Sequence, residues 1–191
     1  MAIMEILKHR LVDCGAEHIV CTKNTRKLSG PDMIILHYTA GVSAQSSARF
    51  LARPDVKASA HLVIGRKGEI IQLVPFDVEA WHAGQSSYAG RTHLNRFSIG
   101  IELDNLGRLV WTAGRFVAEC GIEVEPEQVF ADVSGGTATY WHRYTGQQKE
   151  ILREVCGLLK AHYPIRYVVG HSDVTSRKQD LGPELHGFMC K

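Results

Sequence analysis

The residue pattern predicts a single α/β domain, a β-sheet with helices packed on it. Three observations carry this prediction. Short runs rich in Ile and Val recur near residues 33–39, 62–64, 70–74, 97–103 and 166–170, each of strand length. Two segments, 44–51 and 146–162, instead place apolar residues at helical spacing. Strand-like and helix-like segments interleave along the chain, as they do when helices pack on one shared sheet.

Each element has its own local reason. Residues 33–39 are a continuous apolar run, which reads as a buried strand. Ser43 is placed to cap a helix in which Ala44, Ala48 and Leu51 recur on one face up to Pro54. Leu62-Val63-Ile64 and Ile70 to Val74 flank Arg66-Lys67-Gly68 and read as a hairpin, with Gly68 free to take positive φ. Residues 82–96 read as an ordered surface loop. In 97–103, Ile99 and Ile101 share one strand face, while Gly100 and Glu102 share the other. Thr145-Gly146-Gln147-Gln148 has capping-box spacing. Ile151, Leu152, Val155, Cys156, Leu158, Leu159 and His162 then trace an apolar stripe that Pro164 stops, which places His162 in the packing. Residues 166–170 return to strand, and the rest reads as loop. Residues 1–30 resist assignment, apart from a polar loop at 23–29. Residues 105–142 read as an insertion with some strand.

Composition narrows the function. The 191 residues are 45% apolar, which suits one domain with a sizeable core and no need of a disulfide scaffold. The formal net charge is +2 and no basic run stands out, so nucleic acid is not an expected partner. The five cysteines, Cys14, Cys21, Cys120, Cys156 and Cys190, are odd in number and never spaced Cys-x-x-Cys; reduced thiols are expected. Met1-Ala2-Ile3-Met4-Glu5 leads into no signal-type apolar stretch, and no segment reaches membrane-span length. The expected place of synthesis is the cytoplasm, with no membrane insertion.

Three residues stand out chemically. His37 ends one apolar run, His171 follows another, and Asp180 comes nine positions later in a polar loop. Two imidazoles and a carboxylate can hold zinc and leave a fourth position open. Lys178 places a cation two residues before Asp180. It pairs locally in a solvated loop or, if the triad converges, faces a developing oxyanion. Glu102 is an exposed strand residue or a general base. His9, His18, His93, His142, His162 and His186 carry no comparable context.

With these residues in view, the chain resembles the zinc-dependent N-acetylmuramoyl-L-alanine amidases of the type-2 family, relatives of peptidoglycan recognition proteins. The resemblance runs from about residue 33 to 183. Its blocks are Ile35-Leu36-His37-Tyr38-Thr39, Ala58 to Ile64 with Gly68-Glu69-Ile70, and Val74-Pro75-Phe76-Asp77. They continue with Ala80-Trp81-His82-Ala83-Gly84, Asn95 with Ser98 to Leu103, and Gly170-His171-Ser172-Asp173 with Lys178 to Pro183. The resemblance implies a central mixed β-sheet flanked by helices. It implies a Zn2+ site on His37, His171 and Asp180, with Glu102 and Lys178 catalytic. It implies substrate contacts from Trp81, His82, Arg91 and Asn95. A phage branch of the family carries a catalytic tyrosine where this chain has Ala60, so the likeness leans to the cytosolic anhydro-muropeptide recycling branch. Leu181 stands where proline is common, and the segment 105–142 is longer than a minimal recycling enzyme needs.

The expectation is then one amidase domain over residues 1–191, with 105–142 lining the cleft. Its reaction is zinc-dependent hydrolysis of the amide between N-acetylmuramic acid, or its 1,6-anhydro form, and L-alanine of a stem peptide. The partner is peptidoglycan or a muropeptide. Alternatives are a non-catalytic peptidoglycan-binding module, a metalloenzyme acting on another amide, and, within the amidase reading, a phage endolysin or exported antibacterial effector acting in the periplasm or wall. Oligomeric state is left open.

Overall fold

The structure, a computed structural model, describes residues 4–188. The readings of Met1-Ala2-Ile3 and of Cys190 lie outside that span. The chain opens with β1 (Glu5–Leu7), β2 (Arg10–Val12) and β3 (Glu17–His18), then β4 (Met33–Tyr38), α1 (Ala44–Ala52), β5 (Leu62–Ile64) and β6 (Ile70–Gln72). A short ladder, β7 (Ser87–Tyr88) and β8 (Arg91–Thr92), precedes β9 (Ser98–Leu103). Next come β10 (Arg108–Thr112), β11 (Arg115–Ala118), β12 (Glu123–Val124), β13 (Val129–Asp132) and β14 (Thr139–His142). The final elements are α2 (Gly146–His162), β15 (Tyr167–Gly170) and α3 (His171–Val174), with a 3-10 turn at Pro183–Phe188.

The central sheet is mixed, in the order β15-β4-β9-β5-β6-β3. β15, β4, β9 and β5 run parallel, and β6 returns antiparallel to β5. Period-two alternation sorts the side chains onto two faces. Ile34, Leu36, Ile99, Ile101 and Leu103 pack under α2 through Leu152, Val155, Cys156 and Leu159. On the other face α1 covers the β5–β6 side with Ala44, Ala48 and Leu51. Met33, Ile35 and Val169 pack there against Ala83, Leu94 and Val174. Both faces are therefore covered, and Glu102 is only partly exposed. Sheets built this way carry their sites at the carboxyl ends of the parallel strands.

The caps follow the sequence in part. Ser43 Oγ accepts from Ser46 N–H at 3.1 Å, as a helix N-cap should. Thr145 Oγ1 likewise accepts from Gln148 N–H at 3.1 Å. The reciprocal half of that capping box is missing, because the Gln148 amide donates to Ile64 O and Asp104 O instead, tying α2 to the sheet. Packing outweighs the cap here. A cap contributes about 1 kcal/mol, whereas each fully buried Leu or Val contributes about 1.5–3 kcal/mol. His162 corrects an expectation: the buried stripe stops at Leu159, and residues 160–162 are exposed. The His162 ring turns back onto Leu158 O.

Other segments depart from the sequence reading. Residues 1–30 contain the β1–β2 hairpin and β3, which joins the central sheet beside β6. Residues 171–174 form a helical turn that begins at His171, where a loop was expected; Asp173 Oδ2 accepts from Gly170 N–H at 2.7 Å and stabilises that start. The segment 105–142 builds its own five-stranded antiparallel sheet, β12-β11-β10-β14-β13, around Leu109, Ala118, Val124 and Val129. The four described cysteines, Cys14, Cys21, Cys120 and Cys156, are free thiols.

Candidate active site

Strand register assembles the site. His37 on β4 stands opposite Glu102 on β9, both on the face away from α2. β15 pairs with β4 up to Gly170 opposite Leu36, so His171 emerges beside His37. Three parallel strands thus present His171, His37 and Glu102 in a row at one end of the sheet. Asp180 closes the group from the loop after α3. Ser172 N–H donates to Asp180 O at 2.6 Å, and Tyr144 Oη donates to Leu181 O at 2.9 Å, which hold that loop down.

The three candidate ligands converge. His37 Nδ1 lies 3.0 Å from His171 Nδ1 and 3.2 Å from Asp180 Oδ2, and His171 Nδ1 lies 2.9 Å from the same oxygen. All three residues are buried, yet all line one open cleft of about 810 Å³. The donor set fits a small cation. Atoms bonded to one ion at about 2.0–2.2 Å in tetrahedral directions stand roughly 3.3–3.6 Å apart, so a slight outward adjustment seats one. The outer nitrogen of His171 faces Ala83 O at 3.4 Å, leaving Nδ1 directed inward. Among the described residues this is the one such group of metal-capable side chains found.

Charge follows burial and neighbours. Burial opposes ionisation of Asp180, but the His171 and His37 rings set against its Oδ2 outweigh it and hold the carboxyl below its ordinary range. Burial lowers the pKa of His37 against the opposing pull of Asp180. Glu102 is pushed the other way. Burial, reinforced by the Asp180 charge and opposed by Lys178, lifts its carboxyl to about 8. Two carboxylates in one site whose surroundings push their pKa values apart mark a functional site with divided roles.

The remaining sequence candidates divide. Lys178 and Trp81 line the cleft, and so does His82, whose buried ring packs behind His37 with Nδ1 3.0 Å from His37 Nε2. Arg91 and Asn95 are not among the residues lining it. Arg91 donates to Asp32 Oδ1 at 3.0 Å and lies over the Phe97 ring, so its guanidinium is engaged below the site. The Asn95 side-chain oxygen accepts from His82 N–H at 3.1 Å and Ala83 N–H at 2.8 Å, which fixes the backbone bearing His82. Exposed Val42 and Phe50 from the α1 side add an apolar wall that sequence reasoning missed, and Glu119 reaches the cleft from the second sheet. That sheet also backs the Asp180 loop. The Trp141 ring lies against Gly182, where φ is +76° and a Cβ would stand 2.9 Å from the ring. Arg108 approaches Gln179 Oε1 at 3.4 Å.

Comparison with known proteins places this geometry in context. Residues 26–183 match the Amidase_2 family, described as N-acetylmuramoyl-L-alanine amidase. The 1,6-anhydro-N-acetylmuramyl-L-alanine amidase AmpD of Citrobacter freundii is 44% identical over 79 residues, 41% of this chain and 42% of that protein. AmpD of Enterobacter cloacae is 34% identical over 149 residues, covering 76% of this chain and 62% of its own length. These alignments therefore span less than two thirds of either relative. Among solved structures, the Escherichia coli amidase AmiD superposes with a TM-score of 0.60 at 27% identity, over 95% of this chain and 62% of that one. That structure is a complex with the substrate anhydro-N-acetylmuramic acid-L-Ala-D-γ-Glu-L-Lys.

Proposed function

Because the chain belongs to the N-acetylmuramoyl-L-alanine amidase family, we propose that it hydrolyses the amide joining N-acetylmuramic acid, in its 1,6-anhydro form, to L-alanine of a stem peptide. The observation that carries the reading is the meeting of His37 Nδ1, His171 Nδ1 and Asp180 Oδ2 within 3.2 Å of one another in a cleft shared with Glu102 and Lys178. The anhydro form is favoured by the names of the AmpD relatives and by the substrate bound in AmiD. On this reading residues 1–191 act as one amidase domain, and 105–142 is an insertion that walls the cleft through Glu119.

His37, His171 and Asp180 would hold zinc, which when bound supplies Lewis acidity and a water acidic enough to ionise near neutral pH. The chain's own residues do the rest. Glu102, its carboxyl raised by burial when no cation is present, would in its carboxylate form accept a proton from the attacking water and return it to the departing amine of L-alanine. Lys178 offers its ammonium to the oxygen on which charge develops. Val42, Phe50 and Trp81 give the bound muropeptide an apolar surface, and the exposed Trp81 indole suits the face of a sugar ring. The site of action follows the substrate: free muropeptides place it in the cytoplasm, polymeric wall outside it. Among the described residues no helix is long and apolar enough to cross a membrane.

One assay tests the function. Purified anhydro-muropeptides and intact sacculi are incubated separately with the protein, and mass spectrometry follows free stem peptides beginning with L-alanine. Faster release from the anhydro-muropeptides is expected, and no free peptide from either source would refute the amidase reading. Lys178→Ala is expected to keep zinc and fold while kcat falls about 10²–10³-fold, the loss seen when one oxyanion donor is deleted. An unchanged kcat would take Lys178 out of the mechanism.

A further inference from the structure

His82 lies behind the candidate ligands, and its hydrogen bonds have a direction that can be worked out from one end. Ser98 Oγ has a single proton and two neighbours, Leu94 O at 2.7 Å and His82 Nε2 at 3.3 Å. A carbonyl can only accept, and the Leu94 contact is the shorter, so the hydroxyl proton goes to Leu94 O. Ser98 Oγ then accepts from His82, which places that ring's proton on Nε2. A neutral imidazole carries one N–H, so His82 Nδ1 presents a lone pair. His37 Nε2 lies 3.0 Å from that lone pair and must be the donor. His37 is left with its own lone pair on Nδ1, the nitrogen that faces His171 Nδ1 and Asp180 Oδ2.

We propose that His82 and Ser98 are positioning residues that fix His37 in the tautomer with Nε2 protonated and Nδ1 free to bind a metal ion. The proposal rests on reading His37 as a ligand. It gives His82 a role as acceptor for His37, in place of the substrate contact expected from the sequence.

The surroundings are built for this chain of contacts. Gly100 on β9 leaves the space the ring occupies, since a Cβ there would stand 2.4 Å from His82 Cγ and 2.7 Å from Nδ1. The ring cannot yield cheaply, being buried and bonded at both nitrogens. His61, whose ring stands 5.9 Å behind, does not compete for it. His61 Nδ1 accepts from Gly100 N–H at 2.9 Å and its Nε2 donates to Val78 O at 2.9 Å, so both nitrogens are spent. Ser59 Oγ accepts from Trp81 N–H at 2.8 Å, and the Asn95 side-chain oxygen accepts the next two N–H groups, which holds the Trp81-His82-Ala83 backbone in place. Orienting a ligand through its second nitrogen is a general device of metal sites, and losing the partner typically costs 10–100-fold in metal affinity. Here the partner is a neutral imidazole that a serine two strand positions from Gly100 keeps in one tautomer.

The test reads tautomers directly. Long-range 1H–15N correlation spectra of the 15N-histidine-labelled, zinc-loaded protein should show His82 protonated at Nε2 and His37 protonated at Nε2. A His82 proton on Nδ1 would overturn the relay even with wild-type folding and zinc content. Ser98→Ala should weaken zinc binding about 10-fold in competition with a chelator, and its spectrum should show His82 in mixed tautomers. Affinity within twofold of wild type would also overturn it. If Ser98→Ala fails to fold, the wild-type spectrum still decides. Wild-type protein that binds no zinc would refute the metal reading and the relay together, whereas zinc binding with the wrong His82 tautomer refutes the relay alone.

Discussion

Alanine in place of His37 is expected to abolish zinc binding and hydrolysis together. His37 supplies one of three inward atoms, and its removal leaves an imidazole and a carboxylate that do not close around an ion. The variant should still fold, because the sheet is held by α2 on one face and by α1 and the Leu94 region on the other. Thermal unfolding separates the two effects. Wild-type protein with zinc at a thousand times its Kd gains about 4 kcal/mol. At about 2–4 °C per kcal/mol for a chain of this size, its Tm should rise by roughly 8–16 °C. The variant should show no such rise, no bound zinc by elemental analysis and no released stem peptide. Full activity in metal-depleted wild-type protein would end the metallohydrolase reading.

Glu102→Gln separates catalysis from stability. The amide cannot take up a proton, so kcat should fall about 10²–10⁴-fold, the usual contribution of a general base. Zinc content should not change, since the carboxyl is not one of the three converging ligands. The sign of the stability effect is opposite. Glu102 titrates near 8 in the folded protein against an ordinary 4.5. The unfolded chain therefore ionises first as pH rises. Glu102 contributes stability in full below about 4.5, and that contribution is lost progressively up to about 8. Glutamine has no such loss. In chelator-treated protein the Tm of the variant should gain on wild type between pH 5 and pH 8. A Tm difference that is equal at both pH values would show that the carboxyl is not held protonated by the fold, and wild-type turnover would assign the base to another group.

These two variants touch a site whose members were legible for different reasons. His37 could be read because it ends a continuous apolar run, and Glu102 because it sits in a strand whose alternation is plain; the register that sets them opposite each other follows from parallel pairing of those strands. His171 was found beside its apolar run, although the short helix that starts on it was read as loop. The contact of His82 with His37 left no local pattern, but a signal for the ring's place was present: Gly100 falls between Ile99 and Ile101 in its strand, and a glycine there often marks a close approach by another group. The group turned out to be the His82 ring. The five strands of 105–142 were obscure because they are short and half-exposed, with glycines at the turns and a core of only a few side chains.

The sequence by itself determined which segments carry a buried face, where α1 and α2 are capped, and which residue types stand ready for metal and proton chemistry. Those properties reside in neighbours a few positions apart, where periodicity and local hydrogen bonding leave their mark. Tertiary structure alone decided the partners: that His82 backs His37, that Arg91 turns to Asp32, that Asn95 holds a loop, and that the second sheet braces Gly182. A hydrogen bond between residues 45 positions apart leaves no local pattern. It exists only because the folded sheet brings the two rings within reach.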